Sequence, residues 1–192
     1  MWVANTGSNN VSELNSSGIL LATFTVGTGP TGIAIDGLGN VWVANTGSNN
    51  VSELSSSGVL IGTFTVGLEP NSIAIDASNN AWVTNQGSSS VSVLSPSGAL
   101  IATFPVGTEP QGIAIDIAGN VWVTSASTNT VSGYNSSGTL QTTLAVGNNP
   151  SGVAIDASGN VWVANYADST VTAWEVVAAG PQFKPYSGPI WP

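Results

Sequence analysis

Three features of the 192-residue sequence predict an all-β protein, a β-propeller of about five four-stranded blades whose terminal blades are incomplete. Trp2, Trp42, Trp82, Trp122 and Trp162 recur every forty residues without drift, and a fixed period of this length marks a repeat architecture. Each period holds four short β-rich runs separated by Gly, Ser and Asn, with nothing of helical length or period. In VWVA (41–44) alternate side chains point to opposite faces and both faces are apolar, so both need cover. A blade wedged between two neighbours has that cover, whereas a sheet with one face in water alternates apolar with polar residues.

From residue 32 the runs are GIAID (32–36), VWVAN (41–45), VSEL (51–54) and VLIGTFTVG (59–67), here termed strands a to d. Turn residues separate them at 37–40, 46–50 and 55–58. Three other series keep the same register: Pro30, Pro70, Pro110 and Pro150; Asp36, Asp76, Asp116 and Asp156; and Phe24, Phe64, Phe104 and Leu144. Residues 1–28 match residues 41–68 at all but six positions. The repeat region divides into units 1–28, 29–68, 69–108, 109–148 and 149–176, and a Pro- and aromatic-rich arm follows over 177–192.

The first unit opens on strand b, and the last has a (152–156), b (161–165) and c (170–174) but no recognisable d. Eighteen strands are therefore expected where five full blades need twenty. Closure has three forms: a five-bladed ring with two thin blades, a four-bladed ring in which the last strand a completes the first blade, or strands shared between chains. We expect five-bladed units whose unpaired edges invite association, and head-to-tail contacts that do not close run on into filaments. The arm holds Pro181, Pro185, Pro189 and Pro192, which bar it from the interior of a sheet. It reads as an extended assembly arm that docks Phe183, Tyr186 and Trp191 on its own ring or on a neighbouring copy. A chain starting inside strand b also suits a segment of a longer propeller.

Composition narrows the chemistry. One cation, Lys184, faces ten carboxylates, for a net charge of −9. Without a basic patch, binding to nucleic acid or to anionic membrane is not expected. Without His or Cys there is no imidazole base, no thiolate nucleophile and no zinc site of the usual kind, and no cofactor is implied. Residues 1–30 carry no basic segment followed by an apolar one. Abundant Ser, Thr, Asn and Gly beside a single Lys suggest an extracellular or cell-surface setting.

The segments AWVTNQGSSSVSVLSPSG (81–98), IATFPVGTEPQGIAID (101–116) and GNVWVAN (39–45 and 159–165) resemble the YVTN- and NHL-type propeller repeats over roughly residues 1–176. That resemblance implies the fold. It is poor for function, because such repeats carry enzymes, binding modules and surface-layer proteins alike.

Candidate sites follow from the register. The tryptophans, flanked by Val inside strand b, are expected between blades. The Asp series lies in D-x-x-[G/N]-N turns, where Asp accepts backbone N–H bonds, and the weaker alternative is a cation held by Asp36, Asp76, Asp116 and Asp156 at one mouth of the channel. The d-to-a loops TGPT, LEPN, TEPQ and NNPS and the b-to-c loops should ring the opposite mouth. Positions that vary between units are where a repeat protein places a ligand contact, which nominates Glu69, Asn71, Glu109, Gln111, Tyr166 and Asp168, with a neutral glycan as a suitable partner.

Near-identity of the first units suggests a non-catalytic extracellular scaffold or binding propeller that self-assembles into a surface layer or fibre, its partner being protein, chiefly itself. The alternatives are a metal-dependent lactonase-like or lyase-like propeller enzyme, and a fragment of a longer propeller. Streptogramin-type lyases, which the blade pattern resembles, rely on a His base that this chain lacks. A lactonase-like site would draw on Glu69, Glu109 and Asn71.

Overall fold

The computed structural model describes residues 1–175 in full and 176–177 and 182–185 as backbone. It is a β-propeller arc of five antiparallel sheets. Blade 1 has three strands, β1 (Trp2–Asn5), β2 (Asn10–Leu14) and β3 (Leu20–Thr25). Blade 2 comprises β4 (Pro30–Ile35), β5 (Val41–Asn45), β6 (Asn50–Leu54) and β7 (Leu60–Thr65), and blade 3 comprises β8 (Pro70–Ile75), β9 (Ala81–Asn85), β10 (Ser90–Leu94) and β11 (Leu100–Pro105). Blade 4 is β12 (Pro110–Ile115), β13 (Val121–Ser125), β14 (Thr130–Tyr134) and β15 (Leu140–Ala145). Blade 5 is β16 (Pro150–Ile155), β17 (Val161–Asn165), β18 (Thr170–Val177) and β19 (Gln182–Pro185).

The last strand corrects the sequence reading, which left blade 5 without a strand d. Segment 182–185 pairs with β18, with Glu175 opposite Lys184 and Val176 opposite Phe183. Prolines bar it from a sheet interior, but β19 is the outermost strand and needs a partner on one side only. Pairing of β16 with the first blade is not formed either: β16 hydrogen-bonds to β17, and β1 to β2.

Each interface between blades repeats one pattern. The side chains of strands b and c that share a face with Trp42 (Ala44 and Val51) meet Ala81, Val83 and Leu94 of the next blade. The face carrying Trp82, Val91 and Val93 meets Val121, Val123 and Tyr134 in the same way. We call the tryptophan side face A and the valine–leucine side face B. Trp42 is fully buried and stacks on Phe64 at 5.8 Å between ring centroids. Burying each such Val or Leu contributes roughly 1.5–3 kcal/mol, which is why a sheet apolar on both sides is stable only between neighbours.

The d-strand phenylalanine adds a second lock. A Cβ on Gly58 would fall 2.1 Å from the ring of Phe24 in the preceding blade, and Gly58 also has φ +80°. Gly98 and Gly138 receive Phe64 and Phe104 in the same manner. Glycine is required there on both counts, for the left-handed turn and for the closeness of the ring.

Strands β4, β8, β12 and β16 pack side by side and surround the channel, with β1 against β4. Gly32 and Gly112 let the backbones of successive inner strands approach: a Cβ on Gly32 would lie 2.5 Å from the Asn71 carbonyl oxygen.

Candidate functional site

The two mouths of the channel use the repeat in opposite ways. On the side of the a-to-b turns, Asp36 Oδ1 accepts the backbone N–H groups of Leu38 and Asn40, both at 2.9 Å. Its Oδ2 accepts Asn40 Nδ2 at 3.2 Å and Trp42 Nε1 at 3.1 Å. Asp76 and Asp156 repeat the arrangement, including the bond from Trp82 or Trp162. Burial alone would raise these carboxyls. The indole and amide donors outweigh it and hold Asp36, Asp76 and Asp156 below the ordinary carboxylate range. The carboxylates are thus engaged by their own turns and tie each turn to the core tryptophan. No three acidic side chains converge among the described residues.

Blade 2 adds a buried carboxyl that sequence reading missed. Glu53 is 2% exposed and accepts Asn40 Nδ2 at 3.0 Å. Burial, together with the charge of Asp36, pushes it above the ordinary range. The same register holds Glu13 in blade 1, Val93 in blade 3, Gly133 in blade 4 and Ala173 in blade 5.

On the loop side, strand a begins at the repeated proline, preceded by a residue in the left-handed region: Gly29, Glu69, Glu109 or Asn149. For Glu69 (φ 52°) and Glu109 (φ 53°) this is a strained conformation, the type found where a loop is held for function. It carries their side chains toward the b-to-c loop of the same blade. Ser127 Oγ donates to Glu109 Oε2, and the Glu69 carboxylate lies beside Gly87. Asp168 accepts the backbone N–H and the Nδ2 of Asn148, which hold its carboxyl below the ordinary range. Tyr166 is exposed on the same loop of blade 5.

Two residues on, the varied positions do meet. Asn71 Nδ2 donates to Gln111 Oε1 at 2.8 Å, linking side chains forty positions apart on adjacent blades. Thr31 Oγ1 donates to the Asn71 carbonyl at 2.9 Å. These groups, with Ser151, line a cavity of about 270 Å³ to which Gly32, Ser72, Gly112, Ile113 and Val153 also contribute. Its lining carries no charged side chain. Of the nominated ligand residues, Asn71 and Gln111 therefore share one cavity, while Glu69, Glu109, Tyr166 and Asp168 lie outside its lining, on the d-to-a and b-to-c loops. Ser127 was not anticipated; its signal was the unit-to-unit change at one loop position, Gly47, Gly87, Ser127 and Ala167. Of the assembly-arm residues, Phe183 falls on β19 as backbone, and Tyr186 and Trp191 lie outside the described residues.

No protein-family model and no curated protein matches the sequence, so the YVTN/NHL assignment stands as a resemblance. Solved structures do match. Streptogramin B lyase superposes with a TM-score of 0.84 at 17% identity, covering 99% of this chain and 65% of that one. A catalytically inactive His→Ala variant of virginiamycin B lyase from Staphylococcus aureus, with quinupristin, gives 0.83 at 17% identity over 96% of this chain and 65% of that one. A protein from Bacteroides uniformis, provisionally assigned as a 6-phosphogluconolactonase, gives 0.81 at 13% identity, covering 97% and 66% of the two chains. The chain thus spans about two thirds of the length of the propellers it matches, and at these identities the likeness establishes the fold alone.

One expectation is corrected by these matches. Near-identity of the first units argues against an enzyme, but the propellers on which the chain superposes include lyases.

Proposed function

We propose that the chain acts on an uncharged, oxygen-rich small molecule of the cyclic-ester or sugar-lactone class, held at the loop-side mouth of the channel. The observation that carries this reading is the cavity itself, which is concave, uncharged and lined by the Asn71–Gln111 amide pair with the hydroxyls of Thr31 and Ser151. Amides and hydroxyls both donate and accept, which suits ring oxygens and alcohols. The lactonase candidate among similar folds supports chemistry on a lactone. A phosphorylated lactone is a poor match, because no cation lines the cavity and the chain carries −9.

Proton transfer falls to a carboxylate, since there is no His. Glu109, bonded to Ser127 of the b-to-c loop, is the group we assign. In hydrolysis the water oxygen bonds to the ester carbon, the ring C–O bond breaks, and the water proton passes through Glu109 to the leaving oxygen.

Saturation-transfer NMR and turnover assays with a panel of neutral sugar lactones test this. N71A/Q111A should abolish binding at unchanged secondary structure, and E109Q should keep binding while losing about 10²–10⁴-fold in kcat. Wild-type binding by N71A/Q111A, or full turnover by E109Q, would overturn the corresponding assignment.

A further inference from the structure

We propose that copies of this chain stack head to tail, face A of blade 5 in one copy covering face B of blade 1 in the next. The four internal interfaces already display the contact. In each, a face A led by Trp meets a face B of branched aliphatic residues and either Leu or an aromatic ring.

At the two ends of the arc the same faces meet no neighbouring blade among the described residues. On face A of blade 5, Ala164 is exposed and Val171 is 52% exposed, whereas their counterparts Ala44 and Val51 in blade 2 are fully buried. The face opens into a shallow, chiefly apolar cavity of about 340 Å³ bounded by Ala154, Ala164 and Val171. On face B of blade 1, Val3 is 40% exposed, whereas its counterpart Val43 is fully buried. Gly18 completes that face. Its counterparts Gly58, Gly98 and Gly138 each receive the phenylalanine of the preceding blade, while Gly18 has no atom of another residue within reach of a Cβ.

Much of the internal contact is displayed at the two ends. Ala164 and Val171 repeat Ala44 and Val51, and Val3 and Leu14 repeat Val43 and Leu54, while Met1 stands where the other units have Val or Ala and Lys184 where they have Phe or Leu. The occupant that fits each is the opposite end of a second copy. The contact is heterologous, joining two different patches, so it builds rings or open filaments rather than closed two-fold dimers.

Size-exclusion chromatography with light scattering over a dilution series of the 192-residue chain tests this. Wild type should run at multiples of the chain mass and dissociate on dilution. V171E on face A and V3E on face B should each run at the mass of one chain with unchanged circular dichroism. An equimolar mixture of the two should form a dimer and nothing larger, because each variant keeps one competent face. A wild type that stays at single-chain mass at every concentration, or a mixture that yields no dimer, would overturn the proposal. Because the chain has no cysteine, V3C/V171C treated with a short bismaleimide gives a second test that leaves both faces apolar. A ladder of cross-linked multimers is expected, and cross-links confined to single chains would mean that the arc closes on itself, which also overturns it.

Discussion

The turn-side and loop-side mouths of the channel are built from the same repeat, yet they do different work. At the turn side the units agree: Asp36, Asp76, Asp116 and Asp156 each precede an Asn by four residues and a Trp by six. These aspartates accept donors from their own turns and from the tryptophan six residues on, and the outcome is a tether between the turn and the inter-blade core. At the loop side the units disagree, with Thr31, Asn71, Gln111 and Ser151 at one register position. Their side chains reach across blades and into a cavity. Identity between units spends side chains on the fold, and divergence leaves them available to a ligand.

Removing the largest turn-side anchor breaks the comparison most forcefully. Trp42 is fully buried, stacks on Phe64 and donates to Asp36. W42A should cost about 3–5 kcal/mol, read by urea denaturation, because the neighbouring blade cannot fill the void. Next comes the tether. Asp76 accepts Ser78 N, Asn80 N, Asn80 Nδ2 and Trp82 Nε1 at 2.8 to 2.9 Å. D76A leaves those donors unpaired and should cost about 1.5–3 kcal/mol. The same carboxylates set an acid limit. Their folded pKa is lowered, so the stability they contribute is present above the ordinary carboxylate range and is lost as pH falls through the lowered value. D76A should therefore lose less stability on acidification than wild type.

The fold was legible because its signals are periodic. Tryptophan spacing, the DxxGN turns and the two apolar faces of VWVA each state the same forty-residue wedge. Strand β19 escaped notice because proline argues against a strand until the strand is known to be an edge. The cavity was half legible. Asn71 and Gln111 stood out as departures from the repeat, but their bond to one another depends on how adjacent inner strands are offset, which no single unit encodes. Glu69 and Glu109 stood out in the same way, but that their side chains approach the b-to-c loop of their own blade depends on the left-handed backbone before the proline, which the unit sequence does not state. Glu53 was invisible as a buried acid, since Glu13 occupies the same place in blade 1 without being buried.

Glu53 sharpens the comparison with the smallest effect. It is an acid placed on an apolar face at the turn side, so its chemistry runs against that of the aspartates around it. Burial and the Asp36 charge raise its folded pKa above that of the unfolded chain. Its contribution to stability is then fully present below the unfolded value and is lost as pH rises through the folded one. At neutral pH the group penalises the fold, whereas Asp36 at the same turn supports it. E53Q keeps an oxygen for Asn40 Nδ2 and removes the ionisation. It should raise Tm at pH 7, where each kcal/mol gained appears as about 2–4 °C for a chain of this size. The gain should shrink to nothing as the solution is acidified below the ordinary carboxyl range, because wild-type Glu53 is then neutral in both states. A calorimetric Tm difference between E53Q and wild type that stays constant from acid to neutral pH would show that packing, not charge, governs this position.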